Sequence, residues 1–406
     1  MNRVVVVGSG HGGFAVASAV RERDPLVEVV LIGREAELPY QRPPLSKAFL
    51  AADEPNADEL HFRPQNYYDE HRIGLWLNAR VEKVEPHHGE VLLAGGKRVP
   101  YDSLVLATGA RPRRLPCVPA GLGGVHELGT KADAVRLRSD LGEGRRVVIV
   151  GAGFIGLEVA SAARAAGADV TVVEAAPRVM SRVVSPTTSE FFEKSHRSAA
   201  VNLITGVVVS EVLTSGDHVT GVLLSDGRSL PADVLIIGIG VQPRDELARA
   251  AGLRVEDGVV VDKHLSTSDP NIFAVGDCAR FPMRSDLLVR LESVQNATDQ
   301  ARFVADRLAG SSEHYEQVPW FWSSQAGHKL QIAGLPTAPH DRTVQRGRLE
   351  DGRFSVFFFD GDLLVACESV NAPADHVVAR RLIQSGTALD SERVSDTTAP
   401  VRALLN

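Results

Sequence analysis

The chain opens with four consecutive valines that run directly into the glycine pattern Gly8-x-Gly10-x-x-Gly13. Four β-branched residues before glycine predict a short buried strand, and the following run Phe14–Arg23 is compatible with a helix. In such a unit the glycines make a tight turn, leave room for a pyrophosphate and let the helix pack closely on the strand. The free N–H groups at the helix start favour a phosphate. The pattern therefore predicts a dinucleotide-binding fold rather than a glycine-rich turn without a ligand.

A second apolar run and an acid complete this first unit. The run Val27–Ile32 predicts a second strand, and Glu35 follows it at the place where a carboxylate accepts a hydrogen bond from a ribose hydroxyl. Two adjacent prolines then predict a stiffened loop between Arg42 and Lys47. The two cations suit contacts with phosphate or flavin. A solvated basic loop is the alternative, which the neighbouring dinucleotide pattern disfavours.

The same order recurs in the middle of the chain. An apolar run precedes glycines at positions Gly151, Gly153 and Gly156, and a further apolar run ends in Glu174. Two complete patterns predict two bound nucleotides. A duplicated fold that has lost its second ligand is the alternative.

An internal repeat connects the two units. Three pairs of residues share one offset of 131 positions: Pro100 and Pro231, Asp102 and Asp233, and Gly109 and Gly240. In both halves of the repeat, the proline and aspartate follow short predicted strands, and the glycine ends an apolar run. A fixed offset over this length indicates duplication of a domain rather than a local echo.

The second acid bears on the choice of nicotinamide cofactor. Glu174 offers a carboxylate to a ribose 2′-hydroxyl, and no arginine stands directly beside it for a 2′-phosphate. This favours NADH over NADPH. Arg178, four positions later, limits the strength of the preference.

Composition excludes several classes of protein. The net charge of −7 gives no support for nucleic-acid binding, and no apolar run approaches the length of a membrane span. The N-terminal valines lead into glycines without the cleavage site of a signal peptide. Cys117, Cys278 and Cys367 are far apart and form no CxxC. This spacing favours a reducing cytoplasm and argues against a structural zinc site or a redox-active disulfide.

The last part of the chain changes character. Pro319–Trp322 holds two of the three tryptophans, and the runs Phe354–Phe359 and Leu363–Ala366 predict strands beside Asp-Gly turns. Helices are predicted over Ala297–Leu308, before this part, and over Ala374–Ser385 within it. We expect a separate C-terminal α+β domain without a nucleotide motif.

Taken in order, the motifs GxGxxG, LPYxRPPLSK, ATGxRPR, GxGxxGLE, GIG, AVGDCA, RxESVxNA and PWFWS span nearly the whole chain. They resemble those of the bacterial FAD-dependent NADH:ferredoxin reductases. The resemblance implies an α/β fold with two Rossmann-like dinucleotide-binding domains, in the glutathione-reductase-like topology, plus the C-terminal α+β domain. It assigns residues 1–109 and 241–318 to an FAD domain, 110–240 to an NADH domain and 319–406 to the C-terminal domain.

The resemblance also implies site residues, and it implies no metal site. It places at FAD the residues Gly8, Gly10, Gly13, Glu35, Arg42, Lys47, Arg111 and Asp277. It places at NADH the residues Gly151, Gly153, Gly156, Glu174 and Gly240. Near the isoalloxazine it places Glu292, Val294 and Trp322. Lys47 and Glu158 resemble an ion pair beside the flavin N5 edge, and with Trp322 they are the candidate catalytic residues.

Two departures from the family pattern stand out. Gly129 replaces an arginine that contacts FAD in the family, so one expected cofactor contact is missing. Ser324 replaces an aspartate in the Trp-Ser-Asp-Gln run, which puts the role of that acid in doubt.

The implied reaction takes a hydride from NADH and passes single electrons to a 2Fe-2S ferredoxin. Flavin is stable with zero, one or two added electrons and so joins the two processes. The ferredoxin would feed a haem monooxygenase or an aromatic-ring dioxygenase. An NADH oxidase or diaphorase and a non-catalytic flavin-binding signalling protein are the alternatives. An oxidase or peroxidase with this fold needs a cysteine near residues 40–47, and that loop has none.

Docking of an acidic ferredoxin requires a local basic patch on this acidic chain. The arginines around the expected flavin site are Arg284, Arg290, Arg302 and Arg307. Arg290 and Arg302 are the named candidates, and the family resemblance implies docking at Arg302. We expect no interaction with nucleic acid or membrane.

Overall fold

The computed structural model describes residues 3–52, 56–283 and 287–405. The chain forms two compact units. Unit 1 comprises Met1–Arg42, Asn56–Arg111 and Val241–Gln317. Unit 2 comprises Pro43–Pro55, Pro112–Gly240 and Val318–Asn406. This division does not decide the boundaries of the three predicted domains, which remain a prediction.

The α-helices are α1 (His11–Arg23), α2 (Ala48–Ala51), α3 (Gln65–Glu70), α4 (Lys131–Asp140), α5 (Phe154–Ala165), α6 (Pro186–Ser198), α7 (Glu246–Ala250), α8 (Val294–Leu308), α9 (Pro373–Ser385) and α10 (Ser391–Ser395). Short 3-10 helices cover Pro43–Ser46, Ala57–Leu60, Pro86–His88, Gly276–Cys278, Leu349–Asp351 and Val401–Leu405.

The first strands are β1 (Arg3–Val7), β2 (Glu28–Ile32), β3 (Ile73–Trp76), β4 (Val81–Glu85), β5 (Glu90–Leu93), β6 (Arg98–Pro100), β7 (Ser103–Leu106), β8 (Ala110–Pro112), β9 (Val125–Glu127), β10 (Arg146–Val150), β11 (Asp169–Glu174), β12 (Asn202–Thr205) and β13 (Val209–Ser215). The remaining strands are β14 (His218–Leu224), β15 (Ser229–Pro231), β16 (Val234–Ile237), β17 (Val241–Pro243), β18 (Val259–Val260), β19 (Ile272–Ala274), β20 (Ala279–Pro282), β21 (Leu288–Val289), β22 (Trp320–Gln325), β23 (His328–Gly334), β24 (Arg342–Arg348), β25 (Arg353–Asp360) and β26 (Leu363–Val370).

Unit 1 is built on a five-stranded parallel sheet in the order β19-β7-β1-β2-β3. The N-terminal valines form its central strand, where Val4 pairs with Val29 on one side and with Ser103 on the other. The valine side chains are buried, as expected for a parallel strand covered on both faces. A three-stranded antiparallel sheet, β4-β5-β6, belongs to the same unit.

Unit 2 repeats this plan. Its parallel sheet has the order β12-β11-β10-β16-β9, and β13-β14-β15 form a second three-stranded antiparallel sheet. The repeated aspartates do equivalent work. Asp102 accepts a hydrogen bond from the backbone N–H of Arg3 at 2.7 Å, and Asp233 accepts one from Arg146 at 2.9 Å. Each carboxylate fixes the first residue of a central parallel strand. The internal repeat predicted from the sequence is therefore present in the fold.

The C-terminal part of unit 2 has an antiparallel sheet in the order β22-β23-β26-β25-β24. Residues from β25 and β26 share a core with α9 and the last 3-10 helix, and Phe357 and Phe359 are at its centre. The predicted α/β class is confirmed: two Rossmann-like halves and a C-terminal α+β segment.

Several element ends differ from the sequence predictions. Helix α1 begins at His11, directly after the second glycine, rather than at Phe14. Helix α8 begins at Val294, where Ser293 caps it, three residues before the predicted start. The double proline does not leave an irregular loop but begins a 3-10 helix, because a proline needs no N–H at a first helical turn. Among the described residues, no helix combines the length and apolar character that crossing a bilayer requires.

Candidate cofactor and redox sites

The first glycine pattern leaves open space at the start of α1. A Cβ on Gly13 would lie 1.7 Å from the carbonyl oxygen of Gly8, so strand and helix meet there at glycine distance. A Cβ on Gly10 would meet only Arg42 Nε, at 3.9 Å. No side chain in the described chain caps the start of α1. Its first N–H groups are therefore available to an anion beside Gly10.

Glu35 lies in a polar cluster next to this opening. Its carboxylate accepts a hydrogen bond from the Tyr40 hydroxyl at 2.7 Å and pairs with Arg42 at 2.7 Å. Burial alone would raise the pKa of Glu35, but the charge of Arg42 and the hydrogen bonds from Tyr40 and Arg42 lower it below its usual value. The predicted ribose acid is therefore ionised and fixed in position. It also orients one of the predicted FAD cations.

Asp277 lies in the 3-10 turn after β19, at the carboxyl edge of the unit 1 sheet. Burial and, second, the charge of Glu292 raise the pKa of Asp277 to about 7. Arg290 donates to the Asp277 carbonyl oxygen at 3.2 Å and pairs with Glu292 at 2.8 Å. The structure thus brings Asp277 and Glu292 together beside Val294, the first residue of α8. Both carboxylates belong to the predicted FAD set.

The docking arginines differ in exposure. The Arg290 side chain is only 8 % exposed and pairs with Asp257 and Glu292, so Arg290 does not fit the docking role predicted for it. Arg307 donates to the carbonyl oxygen of Ser311 at 2.8 Å. Arg302 is exposed on α8. Arg284 lies outside the described residues.

Arg111 lies on β8 and forms an ion pair with Glu246 within unit 1. Arg111 is a predicted FAD residue, and Glu246 is a partner that the sequence did not predict. Gly129, in unit 2, marks the missing arginine of the family pattern. A Cβ there would lie 3.1 Å from Pro112 Cδ, and its N–H donates to Asp133 at 3.2 Å as part of the cap of α4.

The second glycine pattern repeats the first with a different acid environment. A Cβ on Gly153 would meet nothing within 4 Å, which leaves space beside the start of α5. Glu174 accepts hydrogen bonds from the N–H groups of Ala152 at 2.6 Å and Ala176 at 2.8 Å. These contacts hold the carboxylate between the glycine turn and the end of β11. Gly151 adopts a positive φ in the turn, and Gly240 adopts one after β16. Gly156 lies in α5, where a Cβ would be 2.1 Å from the carbonyl oxygen of Gly151.

Two arginines near Glu174 have different roles. Arg178 donates to the carbonyl oxygens of Ser181 and Val184, both at 2.8 Å, so it supports the chain rather than awaiting a phosphate. Arg182 is exposed, and its Nη2 lies 3.4 Å from where a Cβ on Gly240 would be. Arg182 is not among the residues that the sequence predicted for this site. Its only signal was a second basic residue eight positions after Glu174.

A buried ion pair lies elsewhere in unit 2. Lys47 Nζ is 2.6 Å from Glu158 Oε2, and the side chains are 23 % and 4 % exposed. The ion pair predicted between these residues is present. The hydroxyls of Ser46 and Ser323 also donate to the Glu158 carboxylate, each at 2.6 Å. These two contacts were not predicted.

Trp322 directly precedes Ser323 on β22, so it is next to this cluster in the sequence. It is half-buried, and its ring centroid is 5.5 Å from that of Trp320. Ser323 and Gln325 point inward from the strand, whereas Ser324 is exposed. The departure at position 324 therefore lies on the outer face of β22, away from Ser323.

Within the described ranges, one group of possible metal ligands occurs outside these sites. Glu85, His88 and Glu90 lie close together, but Glu85 pairs with Lys83 and with Arg98, which also binds Glu90. Cations already compensate these carboxylates. The cysteines Cys117, Cys278 and Cys367 are all free.

Two family models match successive parts of the chain. A family model for pyridine nucleotide-disulphide oxidoreductases matches residues 2–301, and one for the reductase C-terminal domain matches residues 320–405.

Individual relatives match over nearly their whole length. The chain is 45 % identical to rhodocoxin reductase of Rhodococcus erythropolis over 395 residues, which is 97 % of this chain and 92 % of the relative. It is similar to the crystal structure of the ferredoxin reductase for the CYP199A2 system from Rhodopseudomonas palustris, with 44 % identity, a TM-score of 0.95 and 99 % coverage of both chains. The crystal structure of a covalent putidaredoxin reductase–putidaredoxin complex matches with 40 % identity, a TM-score of 0.96 and coverage of 100 % of this chain and 98 % of that one.

Proposed function

Because the chain belongs to the pyridine nucleotide-disulphide oxidoreductase family and ends in a reductase C-terminal domain, we propose that it is an FAD-dependent NADH:ferredoxin reductase. It takes a hydride from NADH and passes single electrons to a 2Fe-2S ferredoxin that serves a haem monooxygenase or an aromatic-ring dioxygenase. The observation that carries this proposal is the pair of open glycine turns, each with a fixed acid, in a chain whose cysteines are all free. Two dinucleotides without a redox disulfide suit a flavin reductase.

The first site fits FAD. The uncapped start of α1 and the open space at Gly10 suit a pyrophosphate, and the ionised Glu35 suits a ribose hydroxyl. When bound, FAD accepts a hydride and releases electrons one at a time. We assign to FAD the residues Gly8, Gly10, Gly13, Glu35, Arg42, Lys47, Arg111, Asp277, Glu292, Val294 and Trp322. The FAD domain would comprise residues 1–109 and 241–318.

The second site fits NADH. The carboxylate of Glu174 is held by two backbone N–H groups beside the open turn at Gly153, where an adenosine ribose would be bound. We assign to NADH the residues Gly151, Gly153, Gly156, Glu174 and Gly240, in a domain of residues 110–240. Residues 319–406 would form the C-terminal domain.

Lys47 and Glu158 are the proposed catalytic pair. A partly buried cation such as Lys47 stabilises negative charge that develops near it, because the surrounding protein screens it less than water would. Glu158 holds the Lys47 ammonium at a fixed place, and Trp322 is proposed to stand at the isoalloxazine. None of these roles requires a nucleophile.

Arg302 is the proposed docking residue for the ferredoxin, since it is the exposed one among the candidate arginines that the structure describes. A local cation attracts an acidic partner even on a chain of net negative charge. We also propose a reducing cytoplasm as the location, because the three cysteines remain free.

Rapid mixing tests the proposed function. NADH should bleach the bound flavin, and the reduced protein should then reduce a 2Fe-2S ferredoxin. A flavin that NADH does not reduce would indicate a non-catalytic flavin-binding protein. Rapid reoxidation by oxygen, with no transfer to any ferredoxin tested, would indicate an oxidase.

A further inference from the structure

Glu158 is the end point of hydrogen bonds from two other segments of unit 2. It is the fifth residue of α5 and almost fully buried. Ser46, the last residue of the 3-10 helix, and Lys47, which follows it, both contact the Glu158 Oε2 at 2.6 Å. Ser323 contacts its Oε1 from β22, also at 2.6 Å. Both oxygens of one carboxylate are thereby fixed from different sides.

The contact through Ser323 continues into the interior. The Ser323 oxygen accepts a hydrogen bond from Gln325 Nε2 at 3.2 Å. Gln325 Oε1 in turn lies 2.9 Å from Nε2 of His196 on α6. All three side chains are buried, and in the described chain His196 Nδ1 has no partner. The hydrogen bonds therefore form one line that begins at His196.

Every donor in this line points toward Glu158. A carboxylate only accepts, so the Ser323 hydroxyl hydrogen is used on Glu158 and its oxygen is left to accept from Gln325. The amide oxygen of Gln325 then requires a proton on Nε2 of His196. Burial lowers the pKa of His196, in keeping with a neutral ring that carries this single proton. The line has one consistent direction and no conflict along it.

Strand alternation explains how the sequence builds the line. Ser323 and Gln325 are two residues apart on β22 and face the interior, while Ser324 between them faces solvent. Lys47 contacts Glu158 directly, and His196 is joined to it through Gln325 and Ser323.

We propose that Ser323, Gln325 and His196 are positioning residues that hold the Glu158 carboxylate toward Lys47. This rests on the proposed function, in which the Lys47–Glu158 pair stands beside the flavin. The line connects β22 and α6 to that pair, so the C-terminal strand sets the electrostatics of the redox site. A serine at 323 and a glutamine at 325 are then required for the reaction without touching a reactant.

Ser323→Ala tests the proposal, with Ser324→Ala on the same strand as its matched control. Loss of one donor to a buried charge should slow the limiting rate of flavin reduction by NADH about tenfold. The NADH dissociation constant should change less than about twofold, because nicotinamide binding uses other residues. Ser324→Ala should behave as the unaltered protein.

The midpoint potential of the bound flavin provides a readout that does not depend on turnover. It should become more negative in Ser323→Ala, because a carboxylate with one donor fewer exerts more uncompensated negative charge beside Lys47. A chemical reductant with indicator dyes gives this value even if NADH does not reduce the protein. Failure of the proposed function and failure of this inference are therefore distinguishable.

Gln325→Leu provides the second variant, since it removes the donor to Ser323 while keeping an apolar side chain of similar volume. It should shift the potential in the same direction by a smaller amount. If Ser323→Ala does not fold, this shift alone decides the matter. An unchanged potential in the folded variants would overturn the proposal, as would an equal change in Ser324→Ala.

Discussion

At the scale of single residues, the two nucleotide acids occupy equivalent places but are held differently. Side chains of Tyr40 and Arg42 hold Glu35, whereas backbone N–H groups of Ala152 and Ala176 hold Glu174. In the described part of the chain, the groups that hold the Glu174 carboxylate are therefore not cations that a 2′-phosphate could share. The structure also removes Arg178 as a phosphate ligand, because two carbonyl oxygens use its guanidinium.

Glu174→Ala should narrow the preference for NADH over NADPH. Bringing a phosphate dianion to this carboxylate costs desolvation and like-charge repulsion, so removing the acid should reduce the ratio of kcat/KM values about tenfold. Steady-state kinetics with both cofactors measure the ratio. Asp169→Ala, at the exposed opposite end of β11, is the control and should leave it unchanged. Comparable kcat/KM values for the two cofactors in the unaltered protein would contradict the assignment of Glu174.

Lys47→Met should lower the flavin potential and slow hydride transfer while FAD stays bound. The variant removes the cation and leaves Glu158 buried, so the negative charge of the reduced flavin loses its stabilising partner. Dye-coupled potentiometry and rapid mixing measure both effects, with Lys194→Met on the exposed face of α6 as control. A purely structural salt bridge predicts a different result: a lower melting temperature with unchanged potential and rate.

Residues close in sequence could be placed in advance, and distant partners could not. The glycines and acids follow from strand and turn patterns within about thirty residues. The Lys47–Glu158 pair was named only through the family resemblance. Ser323 is 165 positions from Glu158, and no local pattern distinguishes it from the exposed Ser324 beside it. The burial of Arg290 is not predictable for the same reason, since its partner Asp257 is 33 positions away in the sequence.

At the scale of elements, a buried carboxylate joins β26 to the start of α6. Glu368 accepts hydrogen bonds from the N–H of Ser185 at 2.7 Å, the Ser185 hydroxyl at 2.6 Å and the Thr188 hydroxyl. Ser185 is the N-cap of α6, where the helix dipole favours a negative charge. The segment between Glu174 and α6 is thus anchored at both ends.

Glu368→Gln should become relatively more stable as pH rises. Burial raises the pKa of Glu368 despite the hydrogen bonds from Ser185 and Thr188. The folded state therefore holds this proton more tightly than the unfolded state. Its contribution is full below the unfolded pKa and is lost as pH rises through the folded pKa.

Urea unfolding at several pH values tests this prediction. As pH rises above the ordinary pKa of glutamate, the free energy of unfolding of the unaltered protein should fall relative to that of Glu368→Gln, since glutamine imitates the protonated form. Glu190→Gln, an exposed acid on α6, is the control. The prediction is contradicted if the free energy of unfolding of the unaltered protein, minus that of Glu368→Gln, stays constant or increases with pH. The hydrogen bonds to Glu368 would then offset or outweigh the effect of burial.

Elements with strong local signals were predicted, and those that depend on capping were misplaced. The valine-rich central strands β1 and β10 and the aromatic strand β25 read directly from their apolar runs. The start of α8 depends on the Ser293 side chain, which accepts from the N–H of Asn296, and apolar periodicity alone places it three residues late. Two adjacent prolines predict a loop, but proline also fits a first helical turn, and here the pair begins a 3-10 helix.

At the scale of the whole molecule, the chain carries net negative charge yet is proposed to receive an acidic ferredoxin. Only local charge can reconcile the two, and Arg302 is exposed on α8. Exposed charges change association rates more than they hold a complex together. Steering also weakens when salt shortens the screening length to about 8–10 Å.

Arg302→Glu should reduce the on-rate for the ferredoxin about tenfold at low salt and weaken its dependence on ionic strength. Reduction of ferricyanide by NADH should survive, because a small acceptor needs no docked surface. Arg228→Glu makes the same change in net charge at an exposed turn before β15, so it separates local from global electrostatics. Ferredoxin reduction is measured by rapid mixing over a series of salt concentrations. If Arg302→Glu matched the unaltered protein at low salt, or if Arg228→Glu lost the same amount, ferredoxin would not dock at α8 through Arg302.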